Sequence, residues 1–209
     1  MRSGSATRPD LRSVQTRRAL IDAALDVLRR CGFAGATARA ISAQAACNQG
    51  LVFYHFGSVV NLLLAALDDV SARRRTRYEA ALAEVSRPSE LIELATRIFR
   101  EDLDSGDAAV LVEMIAGASS TPGLGAEVKA RVAPWTSFAD DALSRVLGPS
   151  PLGTDGGDEL AHAVVALYLG LELLSHLDGD RGPAVALFDR GRQLASLADA
   201  FTRPPGEDR

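Results

Sequence analysis

The residue order predicts an all-α protein of about nine helices. Three observations carry that prediction. Apolar residues recur at spacings of three and four, the period of a helix face. Alanine and leucine dominate, and alternating β-branched runs of the kind that make strands are missing. Prolines and glycines fall at intervals that suit helix starts and stops. With 209 residues, 47% of them hydrophobic and 24% charged, the chain is long enough for one large domain or two smaller ones.

The elements follow in order. Residues 14–31 carry the stripe Leu20, Ala23, Ala24, Val27, Leu28 and Cys31, and Gly32 is placed to stop that helix. Two short helices, 38–45 and 49–55, are separated by Ala46, Cys47 and Asn48. Ser58 can cap a long fourth helix reaching about residue 85, with Leu62, Leu63, Ala66, Leu67 and Val70 facing inward. Pro88, Pro122 and Pro183 suit first-turn positions, where the missing N–H costs nothing. They mark further helices at 88–105, 107–119, 123–147, 157–177 and 183–201. Pro134 lies inside one of these and is expected to kink or split it. Residues 148–157 read as a loop, and residues 1–12 and 203–209 as flexible tails. Cys31 and Cys47, the only cysteines, both fall at expected core positions, which favours structural thiols over a disulfide.

The net charge of −4 argues against a polyanionic partner, but its distribution does not. Residues 1–57 hold eight arginines against three aspartates, a balance of +5 that leaves −9 on the remainder. A basic head on an acidic body suggests that only the head meets a polyanion. The charge-free run at residues 160–171 is shorter than the roughly 20 apolar residues of a membrane span, and no basic-then-apolar leader opens the sequence. The expectation is a soluble, cytoplasmic protein that does not engage a membrane.

Residues 37–56, TARAISAQAACNQGLVFYHF, are the informative segment. A helix-turn-helix needs a short first helix, a tight turn, and a second helix whose start meets the major groove. Thr37 can cap the first helix, with Ile41 and Ala45 inward and small Ala46 allowing close approach at the turn. Asn48 can cap the second, which sets Gln49 and Leu51 near its groove-facing end. Phe53, Tyr54, His55 and Phe56 close it.

This segment resembles the reader of the tetracycline-repressor (TetR) family, in which a Thr-x-Arg-x-Ile-Ala helix precedes a Ser-x-Gly-x-Leu-Tyr-x-His-Phe helix. Thr37, Arg39, Ile41, Asn48, Gly50, Val52, His55 and Phe56 match that pattern or replace it conservatively. The resemblance implies a three-helix DNA-binding domain at 1–57, with a flexible arm at 1–12, and a helical ligand-binding and dimerisation domain at 58–202. It implies a DNA-facing set of Thr37, Arg39, Asn48, Gln49, Gly50, Leu51, Phe53, Tyr54 and His55. Within that set, Thr37, Tyr54 and His55 would meet phosphates. Arg39 would read guanine, Gln49 adenine and Leu51 a thymine methyl. Phe53 and Val59 depart from the pattern: they stand where the family has a tyrosine and a lysine that touch phosphates, and neither side chain can donate a hydrogen bond.

The body supplies the rest. The segment 160–177 is apolar nearly all round and so must be covered on both sides. Leu160, Ala163, Val164, Leu167, Gly170, Leu171 and Leu174, with Leu187, Gly191, Leu194 and Ala198 of the last helix, form the expected interface of a homodimer. By the resemblance, that dimer would set two readers on a palindromic double-stranded operator. Phe99, Met114, Trp135, Phe138, His162 and Tyr168 could line a pocket for a small-molecule effector. His162 and His176 lie too far apart to suggest a metal site, and no metal or cofactor is expected. No phosphate loop, nucleophile elbow or His-Glu-x-x-His motif points to an enzyme. Together these imply a transcriptional repressor released by its effector. The alternative is a helical interaction or ligand-binding protein whose DNA binding has weakened or been lost.

Overall fold

The computed structural model describes residues 11–147 and 157–202. They form nine helices and, among the described residues, no strand. These are α1 (Leu11–Gly35), α2 (Ala38–Gln44), α3 (Gly50–Phe56), α4 (Val59–Leu82), α5 (Pro88–Ser105), α6 (Asp107–Ala118), α7 (Leu124–Leu147), α8 (Gly157–Asp178) and α9 (Gly182–Thr202). The expected loop at 148–157, apart from its last residue, and the tails at 1–10 and 203–209 lie outside the described residues. Residues 11 and 12, read as part of a flexible arm, are instead the first residues of α1.

Several helix starts have a local cause. The Thr37 hydroxyl accepts from the Ala40 N–H at 3.2 Å, and the Ser58 hydroxyl accepts from the Asn61 N–H at 3.0 Å. Pro88 occupies the first turn of α5, where Glu90 accepts from the backbone N–H groups of Ser86 and Arg87 in a capping box. Gly32 (φ 69°) does break the helical path, but a last turn resumes beyond it to Gly35. Pro134 does not split α7. It sits on the exposed side of that helix, where the Ala130 carbonyl left without its N–H can bond water.

Two clusters make the core. The first joins Leu20, Ala24 and Leu28 of α1, Ile41 of α2, Val52 of α3, and Leu62, Leu63, Ala66 and Val70 of α4. It continues without a break into Val110 and Met114 of α6 and Leu124 and Val128 of α7. The head therefore shares its core with the base of the body. Each fully buried leucine or isoleucine contributes about 1.5–3 kcal/mol. The second cluster holds Tyr78, Leu82, Leu94, Ile98 and Ala142, with Trp135, Phe138 and Tyr168 partly buried against it.

Both cysteines are free. Cys31 is exposed rather than core, because its position lies at the end of the buried stripe, where Gly32 turns the chain. Cys47 is half-buried against the first cluster, and burial pushes its thiol pKa up.

Candidate nucleic-acid interface and body cavity

The turn between α2 and α3 is a Schellman motif. The Cys47 N–H reaches the Ser42 carbonyl at 3.0 Å and the Ala46 N–H reaches the Ala43 carbonyl at 3.2 Å. The motif demands a left-handed residue after the C-cap, and here Ala46 supplies it with φ 50°. Ala46 is exposed, so it makes the turn by its backbone conformation and not by letting the two helices approach. Asn48 begins the next helix: its Oδ1 accepts from the Gly50 N–H at 2.7 Å and its carbonyl from the Leu51 N–H at 3.0 Å. At the far end, Asn61 Nδ2 donates to the Phe56 carbonyl at 2.9 Å, which ties α3 to α4 across a bend of 64°. The second helix is thus fixed at both ends by side-chain bonds, while Val52 anchors its middle at 0% exposure.

This anchoring turns the expected reader residues outward. Thr37, Arg39, Asn48, Gln49, Gly50, Phe53 and Tyr54 are exposed, Tyr54 at 78%. His55 is half-buried, edge-on to Tyr54 with ring centroids 4.9 Å apart. Leu51 packs partly against the first core cluster, so only part of its side chain faces out. Phe53 is 49% exposed, a costly placement for an apolar ring, and Val59 packs against the core.

The basic head is less available than its count of arginines suggests. Arg18 bonds Asp22 and Asp69, both at 2.6 Å. Arg29 bonds Asp107 of α6 at 2.6 Å, and Arg30 donates to the Gln44 side-chain Oε1 at 2.8 Å. Arg17 lies over the Phe56 ring, 5.0 Å from its centroid, on the α3 side of the head.

Three contacts join the head to α6. Glu113 Oε2 accepts from the Phe33 N–H at 2.7 Å, Arg29 pairs with Asp107, and the Phe33 ring lies where a Cβ on Gly117 would be, 2.4 Å from the ring's Cγ. None of these was anticipated from the sequence.

The body holds a cavity of about 210 Å³ between α4, α5, α7 and α8, walled by leucine, isoleucine, valine, alanine and aromatic side chains. Trp135, Phe138 and Tyr168 line it as expected. The other three expected lining residues do not. Phe99 and Met114 are fully buried core, Phe99 standing behind Tyr168 at 5.7 Å between ring centroids, and His162 points outward. One polar cluster, missed in the sequence, closes one side. Asp102, 1% exposed, accepts from the Tyr78 hydroxyl and the Tyr168 hydroxyl, both at 2.6 Å, and from Arg74 Nη2. Glu172, also 1% exposed, lies 3.7 Å from the same Arg74 nitrogen. Its burial, reinforced by Asp102 and only partly offset by Arg74, pushes its pKa up to about 8. Burial and the bond to Asp102 raise both tyrosines far above their ordinary range.

The α8 and α9 surface is apolar. Leu167, Leu174 and Leu194 are 56%, 56% and 69% exposed, and Leu160, Ala163, Val164 and Leu187 are exposed beside them. A Cβ on Gly170 would meet nothing within 4 Å. Leu171 is half-buried, and Gly191 faces its own chain, with Ile92 of α5 3.7 Å from a Cβ placed there. Gly191 thus lies where α9 packs on α5. The stretch Glu159–Leu177 is long and apolar enough to cross a membrane by length and composition, more than the uncharged run alone suggested. Its one interior charge, Glu172, is buried against Arg74.

Comparison with known proteins agrees with this geometry. Residues 20–66 match the family model described as bacterial regulatory proteins, tetR family. The HTH-type transcriptional regulator CymR of Pseudomonas putida is 25% identical over 170 residues, covering 81% of this chain and 84% of that protein. Among solved structures, a TetR-family member from Streptomyces coelicolor is 27% identical, with a TM-score of 0.63 over 84% of this chain and 97% of that one. The transcriptional regulator FadR of Bacillus subtilis, solved with stearoyl-CoA, shares the fold at 16% identity and a TM-score of 0.68, over 85% of this chain and 96% of its own. Residues 20–66 thus match the tetR family of bacterial regulatory proteins, and the chain is a DNA-binding transcriptional regulator similar to these relatives.

Proposed function

We propose that this regulator is a homodimeric repressor whose residues 1–57 read a palindromic operator and whose residues 58–202 pair the subunits and bind a small-molecule effector. One observation supports the reading: Arg39 on α2, Gln49 at the start of α3 and Tyr54 on α3 are all exposed, while Ile41 and Val52 hold both helices to the core. Arg39 and Gln49 are assigned to base edges, with Leu51 as a partial apolar contact. Thr37, Tyr54 and His55 are assigned to phosphates. The Thr37 hydroxyl spends its lone pair on the helix cap and keeps its proton to donate. Phe53 and Val59 remove two phosphate donors, so binding leans on fewer charges and loses less affinity as salt rises.

Gel shifts of the full chain against DNA flanking its gene test this. Arg39→Ala is expected to cost about 1–3 kcal/mol at the operator and to relax specificity at one base pair. Equal loss at every sequence, with a shallower salt slope, would reassign Arg39 to a phosphate.

The effector reading rests on the body cavity. Tyr78 and Arg74 of its wall lie on α4, the helix that α3 is tied to at its other end. Filling the cavity would bias where α4 holds the reader, and linkage requires bound DNA to oppose the effector equally.

A further inference from the structure

The cavity's polar side holds a buried donor with no acceptor. Arg74 is buried and stacked on Trp135, with its guanidinium carbon 4.9 Å from the ring centroid, and both side chains line the cavity. Arg74 Nη2 is committed to Asp102, while its buried Nε–H has no acceptor. The Tyr78 and Tyr168 hydroxyl protons are both committed to Asp102. An arginine N–H left unbonded in an apolar wall is a standing cost that a ligand acceptor removes.

Charge decides what kind of acceptor fits. Among the described residues, Arg74 is the only charged one lining the cavity, and its charge is already matched by Asp102. Glu172, behind the wall, is held protonated near neutral pH by burial. An anionic ligand would bring a second negative charge with no second cation to meet it. A cationic ligand would find no carboxylate in the wall. Either leaves an uncompensated charge in an apolar site.

Taking the cavity as an effector site, as proposed above, we infer that its ligand is an uncharged, mainly apolar molecule with a carbonyl- or ether-type oxygen, held by the Arg74 Nε–H. The inference rests on that reading and adds the ligand's chemical class to it.

Trp135 is the sequence's one tryptophan, so its emission reports occupancy of this cavity alone. Three near-isosteric, non-absorbing probes separate the classes: cyclohexyl methyl ketone, cyclohexanecarboxylate and cyclohexylmethylamine, each titrated into the full-length protein at pH 7. The ketone should bind at least about ten-fold tighter than either charged probe. Its infrared C=O stretch should move to lower frequency on binding. Arg74→Lys, which keeps a cation for Asp102 but has no Nε–H beside the ring, should erase the ketone's advantage with the helical circular dichroism intact. If that variant does not fold, the carbonyl shift in the wild-type protein decides the question. A carboxylate or amine that binds as tightly as the ketone, or an unshifted carbonyl band, overturns the head-group assignment and leaves the effector site standing. If no probe changes Trp135 emission at millimolar concentration, the effector reading fails and the inference fails with it.

Discussion

Ala46 shows how a single residue carries strain for the reader. A left-handed alanine costs about 1 kcal/mol or more against its Cβ, while glycine adopts the same φ freely. Ala46→Gly gives up some unfolded-state entropy but removes that strain, and strain is the larger effect at positive φ. The variant is expected to gain about 0.5–1 kcal/mol in thermal or urea unfolding; a loss of stability would contradict the left-handed turn. Glu172 makes a second residue-scale prediction. Its pKa in the fold, about 8, lies above the unfolded value, so folding takes up a proton. The stability this adds is complete at acid pH and drains away as pH rises through about 8. Arg74, Asp102 and Tyr168 are the groups that face it. Glu172→Gln, which cannot ionise, should melt higher than wild type at pH 9 by about 2–4 °C per kcal/mol recovered, and the gap should close at pH 6. Asn48 was readable from sequence because a cap acts on residues two positions away. Arg74, Asp102 and Glu172 were not, because each is an ordinary surface residue until α4, α5 and α8 are packed together.

At the scale of elements, the α1–α6 contact sets two glycine effects against each other. Gly117 lies near the end of α6, where alanine would normally improve a helix by about 0.5–1 kcal/mol. Here the added Cβ would press into the Phe33 ring at 2.4 Å, at the root of the ring and not at a free tip. Overpacking of this kind costs about 1–3 kcal/mol and should win. Gly117→Ala is therefore expected to lower the melting temperature, and Phe33→Leu to relieve it in part. Helix positions were legible because caps, prolines and apolar spacing are local signals; α5 falls where Pro88 placed it. Contacts between elements were not legible. Phe33 against Gly117 and Glu113 on the Phe33 N–H join residues eighty or more positions apart, and no spacing rule reaches that far. Pro134 was misjudged for a related reason: whether a proline breaks a helix depends on whether its orphaned carbonyl faces water.

For the whole molecule, the expected dimer face is testable directly. Leu167→Arg with Leu194→Arg should convert the protein to monomer by sedimentation at micromolar concentration, while the first core cluster keeps the head folded. Operator affinity should then fall by orders of magnitude, because one reader meets half the site. A dimer that survives both charges would place the interface elsewhere. The charge asymmetry of the sequence pointed to the head, where residues 20–66 match the family model, yet it overstated the charge available there. Arg18 and Arg29 are taken up by Asp69 and Asp107, carboxylates of the acidic body.

The uncovered leucines of α8 and α9 also make abundance a structural variable. The proposed pair would remove that apolar area from water, so part of what keeps each copy intact would come from its twin, and dilution would act on it as a mild denaturant does. A cell that makes few copies would hold them mostly apart, less durable and unable to grip both halves of the operator. Silencing by such a protein would then switch on over a narrow range of copy number.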